Sequence, residues 1–282
     1  MTTTLTPPPL PPTPAAAAGG PAPTRASSRV IAVLAIAFGT VLILGAIFTG
    51  VFAALRGSPQ TTSFTADAAG ITELDIDVAA AELTVVYSGS EARLDVTGNT
   101  SDWRLTRDDD TLSVATERDW WGGFRWFDDG DSAVLTLPAS LENTAIDGDF
   151  SLSAGVLRAH GRYGELDLDL SAGSMDVSGS ARSVDADAAA GRLLFDLSGV
   201  DEADLRLSAG AMTATLSGVA PSDVSVDVSA GRLVLTLPDA VYDVTGDSTA
   251  GEFQNRLSLD PGSAHRVSVS LSAGFVRLQS AG

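Results

Sequence analysis

Apolar and polar residues alternate along most of the second half of the chain, and the alternation restarts at a recurring corner. The corner is Ser-Ala-Gly, ending at Gly155, Gly173, Gly210, Gly231 and Gly274, with Ala189-Ala190-Gly191 and Thr249-Ala250-Gly251 as variants. In five copies the residues seven, five and three before the glycine are apolar. They are Leu166, Leu168, Leu170 in one copy, then Val184, Ala186, Ala188, then Ala203, Leu205, Leu207. Val224, Val226, Val228 and Val267, Val269, Leu271 continue the series. The residues two and four after each glycine behave alike: Met175, Val177; Leu193, Phe195; Met212, Ala214; Leu233, Leu235; Val276, Leu278. A period of two on both flanks is the pattern of strands that bury one face.

Each unit is therefore strand, corner, strand, and the corner glycines are 18 to 23 residues apart. One unit cannot bury its own apolar face, but stacked units can, because neighbouring strands lie about 4.8 Å apart and like residues form ladders. The expected fold is all-β: a β-solenoid, or stacked β-strand repeats of about 18–23 residues per coil. An upstream copy fits the same template. Leu74, Ile76 and Val78 lead to Ala79-Ala80-Ala81, with Ala81 in the glycine slot, and Leu83 and Val85 come after it. Between that copy and Gly155 the phase is lost, and short irregular strands are expected, capping the stack or inserting into it.

The longest apolar run does not alternate. Val30 to Leu55 holds 26 residues without a charge, a helix of about 39 Å, enough to cross a hydrocarbon core of about 30 Å. Arg25 and Arg29 precede it and Arg56 comes after it, which points the N-terminus to the cytoplasm. A cleaved signal peptide is the competing reading, but its apolar region is normally about 7–15 residues. Either reading places residues 57–282 outside the cytoplasm. The organisation expected is a Pro/Ala-rich disordered tail over 1–29, a transmembrane helix over 30–55, a linker over 56–66 and an extracytoplasmic domain over 67–282. That domain divides into an irregular part, 67–147, and regular repeats, 148–282.

Composition narrows the chemistry. The chain has no cysteine, so disulfides and thiolate sites are excluded. All 36 acidic residues fall in 57–282, beside 14 arginines, a net charge of −22. Such a domain repels nucleic acid and attracts cations or basic partners.

Three groups of residues are candidates for chemistry. The outward positions before the corners hold Asp167, Asp169, Asp185 and Asp187, with Asp75, Asp77, Asp149, Asp204, Asp227 and Asp247 in equivalent slots. In-register stacking makes these into columns of carboxylates. A solvated face that deters aggregation is one reading, and Ca²⁺ bound by the carboxylates is the other. Second, Trp120, Trp121, Phe124, Trp126 and Phe127 cluster around Gly122-Gly123. Aromatics at a loop tip can stack on sugars or enter a bilayer interface, and they can equally plug the open end of a stack. Third, His160 and His265 are the only histidines, and neither has a Ser or Asp partner at a meaningful spacing. No nucleophile elbow, Walker loop or zinc-protease motif is present.

The stretch after residue 66 resembles the bacterial β-strand-repeat family named "putative adhesins". The residues that carry the resemblance are "ITELDIDVAAAELTVVYSG", "DDDTLSVATE", the strand ending in proline "AVLTLPAS", and the serial "SAG" corners. The resemblance implies a β-solenoid-like surface domain and assigns no catalytic residues. The expected function is a non-enzymatic, membrane-anchored surface module that binds envelope glycan or an envelope protein. An envelope-stress sensing component is the alternative, and a carbohydrate-active enzyme using the Asp face is the third reading.

Overall fold

The computed structural model describes residues 61–116 and 131–281. The tail, the uncharged run over 30–55 and the aromatic cluster Trp120, Trp121, Phe124, Trp126 and Phe127 lie outside these residues. Among the described residues no helix is long and apolar enough to cross a membrane.

Among the described residues every regular element is a strand except one turn of 3-10 helix at Ala139–Leu141, as the alternation predicts. Two parallel ladders of strands form. The first contains β2 (Glu73–Val78), β6 (Thr111–Thr116), β8 (Ile146–Leu152) and the second half of β9 (Gly155–Leu170). It continues through β11 (Ser183–Ala188), β13 (Glu202–Leu207), β15 (Asp223–Val228), the first half of β19 (Arg266–Ser280) and the first half of β17 (Val241–Arg256). The second runs from β7 (Asp131–Leu137) through β3 (Ala81–Tyr87), the first half of β9, and β10 (Ser174–Ser180). It then passes through β12 (Arg192–Ser198), β14 (Ala211–Ser217), β16 (Arg232–Leu237) and the second halves of β19 and β17.

Pairing is in register with the repeat. Leu166, Val184, Ala203, Val224 and Val267 are successive partners on the first ladder. Met175, Leu193, Met212, Leu233 and Val276 are successive partners on the second. All are buried, and they belong to one continuous apolar core that lies between the ladders. Ala81 pairs with Gly155, the slot the template assigns to it.

The β-solenoid expectation is corrected; the transmembrane helix expected over 30–55 lies outside the described residues. The described residues form a closed, nine-strand parallel β-barrel with extra strands. The repeat predicts strand, corner, strand in each unit. Instead β9, β17 and β19 run unbroken for 16, 16 and 15 residues through both ladders. Main-chain bonds also continue through the corners, as from the Ala190 amide to the Ser171 oxygen (3.0 Å) and from the Ala211 amide to the Gly191 oxygen (2.9 Å). The wall thus closes round the core as one hydrogen-bonded sheet, leaving no seam between separate coil faces.

The two ends of the wall are finished differently. At one end β5 (Trp103–Asp108) pairs antiparallel with β6, and β4 (Ala92–Thr97) pairs antiparallel with β7. The strand β1 (Thr61–Ala66), inside the stretch read as linker, pairs antiparallel with β4. At the other end β19 is inserted between β16 and β17, although β17 comes first in the chain. The reason lies in the inward residues. Those of β19 are Val267, Val269, Leu271, Val276 and Leu278, all buried, whereas their partners on β17 are Val244, Gly246, Ser248, Phe253 and Asn255. The apolar strand takes the interior place and the more polar one becomes the end.

Candidate functional site

Because the strands pair in register, each outward position becomes a column along the wall. On the first ladder Asp75, Asp149, Asp167, Asp185 and Asp204 are successive partners. Beside them run Asp77, Ser151, Asp169, Asp187 and Arg206. Adjacent strands are about 4.8 Å apart, so each carboxylate of the first column faces another directly across the ladder, whereas Asp77 faces Ser151.

The electrostatics stem from that spacing. Partial burial pushes the Asp149 carboxyl above its ordinary value, and Asp75 and Asp167 on either side push it further. Asp167 is raised by burial and then by Asp185 and Glu165. Asp75 is raised by burial against the opposing effect of its Ser113 hydrogen bond. Asp204 is raised by burial, although Arg206 pulls it down. Arg206 is the local counterion: its guanidinium donates to Asp185 (2.8 Å) and to Asp204 (2.6 Å), spanning two strands. Arg266 likewise pairs with Asp223 at 2.9 Å, and Arg182 with Glu165 at 3.1 Å. A shallow groove of about 440 Å³ runs along this face between Glu165, Asp167, Asp185, Asp204, Asp223 and Arg266.

The structure thus brings Asp167 beside Asp185 and Asp169 beside Asp187. It does not gather them into a cage. Among the described residues no group of three or more His, Asp or Glu is placed to hold a metal ion, whereas Ca²⁺ takes about 6–8 oxygen ligands. The columns spread their carboxylates along a wall.

The second ladder presents a different outer face. Its outward residues are largely Ser and Thr, such as Ser178, Thr213, Thr215 and Thr236, interrupted by Arg158, Arg162, Arg192, Arg232, Arg256 and Arg277. Acids are sparse there: Glu82, which pairs with Arg158, and Asp176, Asp196 and Glu252. Phe275 lies between two guanidiniums, with Arg232 4.6 Å and Arg277 5.0 Å from its ring centre. The wall is therefore two-sided, acidic on one ladder and neutral to basic on the other. Sequence reasoning found the acidic columns and missed this second face. Its signal was present in the residues one, three and five after each corner glycine.

The histidines are placed as side chains of the wall. His160 Nδ1 is 3.1 Å from Ser178 Oγ, and Ser178 pairs on its other side with Asp196. In a triad the acid holds the imidazole; here it stands beyond the serine. His265 Nδ1 contacts the Pro221 carbonyl at 2.8 Å.

No protein-family model matches the chain, and no curated protein does. Solved structures of bacterial proteins are similar to it at low identity. One, described as a "putative cell adhesion protein" of Clostridium sporogenes, is 11% identical, covering 79% of this chain and 100% of its own, with a TM-score of 0.39. A "putative adhesin" of Parabacteroides distasonis is 14% identical, covering 78% and 98%, with a TM-score of 0.43. A "putative lipid binding protein" of the same organism is 14% identical, covering 80% and 98%, with a TM-score of 0.40.

Proposed function

We propose that this protein is a non-enzymatic binding module of the bacterial envelope, held at the membrane by its uncharged 30–55 run, which contacts envelope glycan or an envelope protein through the outer faces of its wall. The observation that carries this reading is the two-sidedness of the wall. One face repeats carboxylates at strand spacing, and the other carries hydroxyls with guanidiniums interspersed, as where Arg192 and Arg232 flank Ala211 in one column. Regular columns suit an extended, repetitive partner, since each strand offers the same contact again. Opposite charge on the two faces orients the module against a charged polymer, because like charge on one side repels what the other attracts.

The test is co-sedimentation of the purified protein with isolated cell walls, with and without Ca²⁺. Three variants accompany it: Trp120→Ala/Trp121→Ala/Trp126→Ala, Arg192→Ala/Arg232→Ala, and Asp167→Asn/Asp169→Asn. Each is first shown to fold by circular dichroism. Sedimentation that one variant loses assigns binding to the aromatic cluster, the basic face or the acidic face. No sedimentation under either condition removes the wall-glycan form of the reading, and capture of a membrane protein partner then becomes its test.

A further inference from the structure

The wall has one open end. At the other end antiparallel strands cover the edges of β6 and β7. Among the described residues nothing comparable covers β17. From Asp243 to Arg256 it pairs only with β19, and among the described residues only the two-residue strand β18 (Ser258–Leu259) adds to it, at Val241–Tyr242. Residues 245–252 are all exposed. The Asp243 amide donates to His265 on the β19 side. Strand alternation therefore turns the amides of Val244, Gly246 and Ser248 to the free edge. The core itself is closed at this end, because the Phe253 ring lies over Gly246. What is exposed is a long row of main-chain donors and acceptors, with Val241 and Leu259, both exposed, at its margin.

We propose that β17 pairs antiparallel with β17 of a second copy of this chain, joining two walls end to end about a two-fold axis. Charge selects that partner and that direction. The first half of β17 belongs to the acidic face and the second half to the Arg-bearing face. Antiparallel pairing sets the first half of one strand on the second half of the other, so each acidic face continues into its partner's basic face. Parallel addition would set acid on acid.

Side-chain direction and charge then choose the register. With Ala250 opposite Gly251 of the partner subunit, inward residues meet inward residues. Asp247 faces the partner's Gln254, Thr249 faces the partner's Glu252, and Thr245 faces the partner's Arg256. Each Arg256 then sits diagonally between Asp243 and Asp247 of the partner subunit, within reach of both. Shifting by two residues one way would oppose Asp247 to Glu252 at both symmetry-related positions; shifting the other way would set Asp247 opposite Arg256 but shorten the paired stretch and leave Asp243 without its arginine. The β1 strands lie at the far ends of the paired walls, since β1 stands at the capped end of each.

Three measurements on the full chain in detergent test this. Light scattering is expected to give a dimer that salt weakens. Arg256→Glu is expected to weaken dimerisation about tenfold, and Asp247→Arg in the same chain to restore it. The chain has no cysteine, so Ala250→Cys is expected to form an intermolecular disulfide under mild oxidation, whereas Thr215→Cys, away from the edge, is not. Ser248→Pro, which removes one free-edge amide, is expected to give a folded monomer. A monomer at all concentrations, or equal cross-linking from positions 250 and 215, overturns the proposal. So does an Arg256→Glu defect that Asp247→Arg fails to repair.

Discussion

Gly173 stands directly on Gly155: a Cβ added to Gly173, whose φ is +100°, would lie 2.3 Å from the Gly155 main-chain oxygen. The same contact recurs along the column, with Gly191 on Gly173 at 2.5 Å and Gly210 on Gly191 at 2.4 Å. The corner repeats its glycine because the backbone of each strand turns against the backbone of the one before. Gly173→Ala is expected to destabilise by about 3 kcal/mol, combining a strained φ with a main-chain clash. Gly199 is the control. Its φ is +77°, but the nearest atom to an added Cβ is 4.0 Å away, so Gly199→Ala is expected to cost about 1 kcal/mol. Denaturant unfolding of the two variants measures the difference, and equal losses would refute the backbone-contact explanation.

The acidic columns make stability depend on pH in an unusual direction. Asp75, Asp149, Asp167 and Asp204 all have folded values raised chiefly by burial. A carboxyl raised in the folded state holds its proton there while the unfolded chain has released it. Stability therefore increases as pH falls from neutrality through these raised values, and levels near the unfolded value of about 3.9. Asp95 has the opposite sign, because bonds from Ser63 and Arg93 lower it, but it is one exposed group. The melting temperature of the unit Ser58–Gly282 is expected to rise between pH 7 and about pH 4.5. Added salt at pH 7 should raise it as well, by screening the same repulsion. A melting temperature that falls steadily below pH 7 would contradict this account.

Neighbouring aspartates of one column should respond oppositely to neutralisation. Asp167 faces Asp149 and Asp185, and Asp167→Asn relieves that repulsion, an expected gain of about 0.5 kcal/mol. Asp185 receives the Arg206 guanidinium at 2.8 Å. Asp185→Asn gives up that ion pair, an expected loss of about 0.5 kcal/mol. Unfolding curves for both variants at low salt decide the point, and the same sign for both would show that the columns do not set the local energetics.

The alternation of Val184, Ala186 and Ala188 with polar residues made both the strands and their register legible, because a one-residue slip would turn the whole apolar set outward. Ala81 was legible in the glycine slot for the same reason. The closure of the wall was not. Gly161 and Gly164 in β9 look like turn residues, yet neither takes a positive φ, and the strand runs through them. Nor was the insertion of β19 before β17. Sequence order places Ser248 in the apolar core, whereas packing places the more apolar strand inside. Arg206 was visible as an exception at a column position held by Asp169 and Asp187, but its reach across two strands is a property of the pairing. The Arg-bearing face was overlooked because Ser and Thr at outward positions carry no pattern beyond polarity.

The three tyrosines of the chain give a probe of the core that needs no ligand. Burial pushes Tyr87 and Tyr242 up to about 12, and Tyr163 well above its ordinary value. In the unfolded chain all three ionise near pH 10. The folded state therefore keeps protons that the unfolded state releases, and the stability present below pH 10 is lost as pH rises beyond it. Tyrosinate absorbance is expected to stay flat past pH 10 and to rise only together with loss of strand signal in circular dichroism. Two variants separate the hydroxyls. The Tyr163 hydroxyl is buried without a hydrogen-bond partner in the protein, so Tyr163→Phe is expected to gain about 1 kcal/mol. The Tyr242 hydroxyl donates to the Pro238 carbonyl at 2.8 Å, so Tyr242→Phe is expected to lose about 1 kcal/mol. Tyrosinate forming near pH 10 with the strand signal intact would place these rings in water and contradict the packing described.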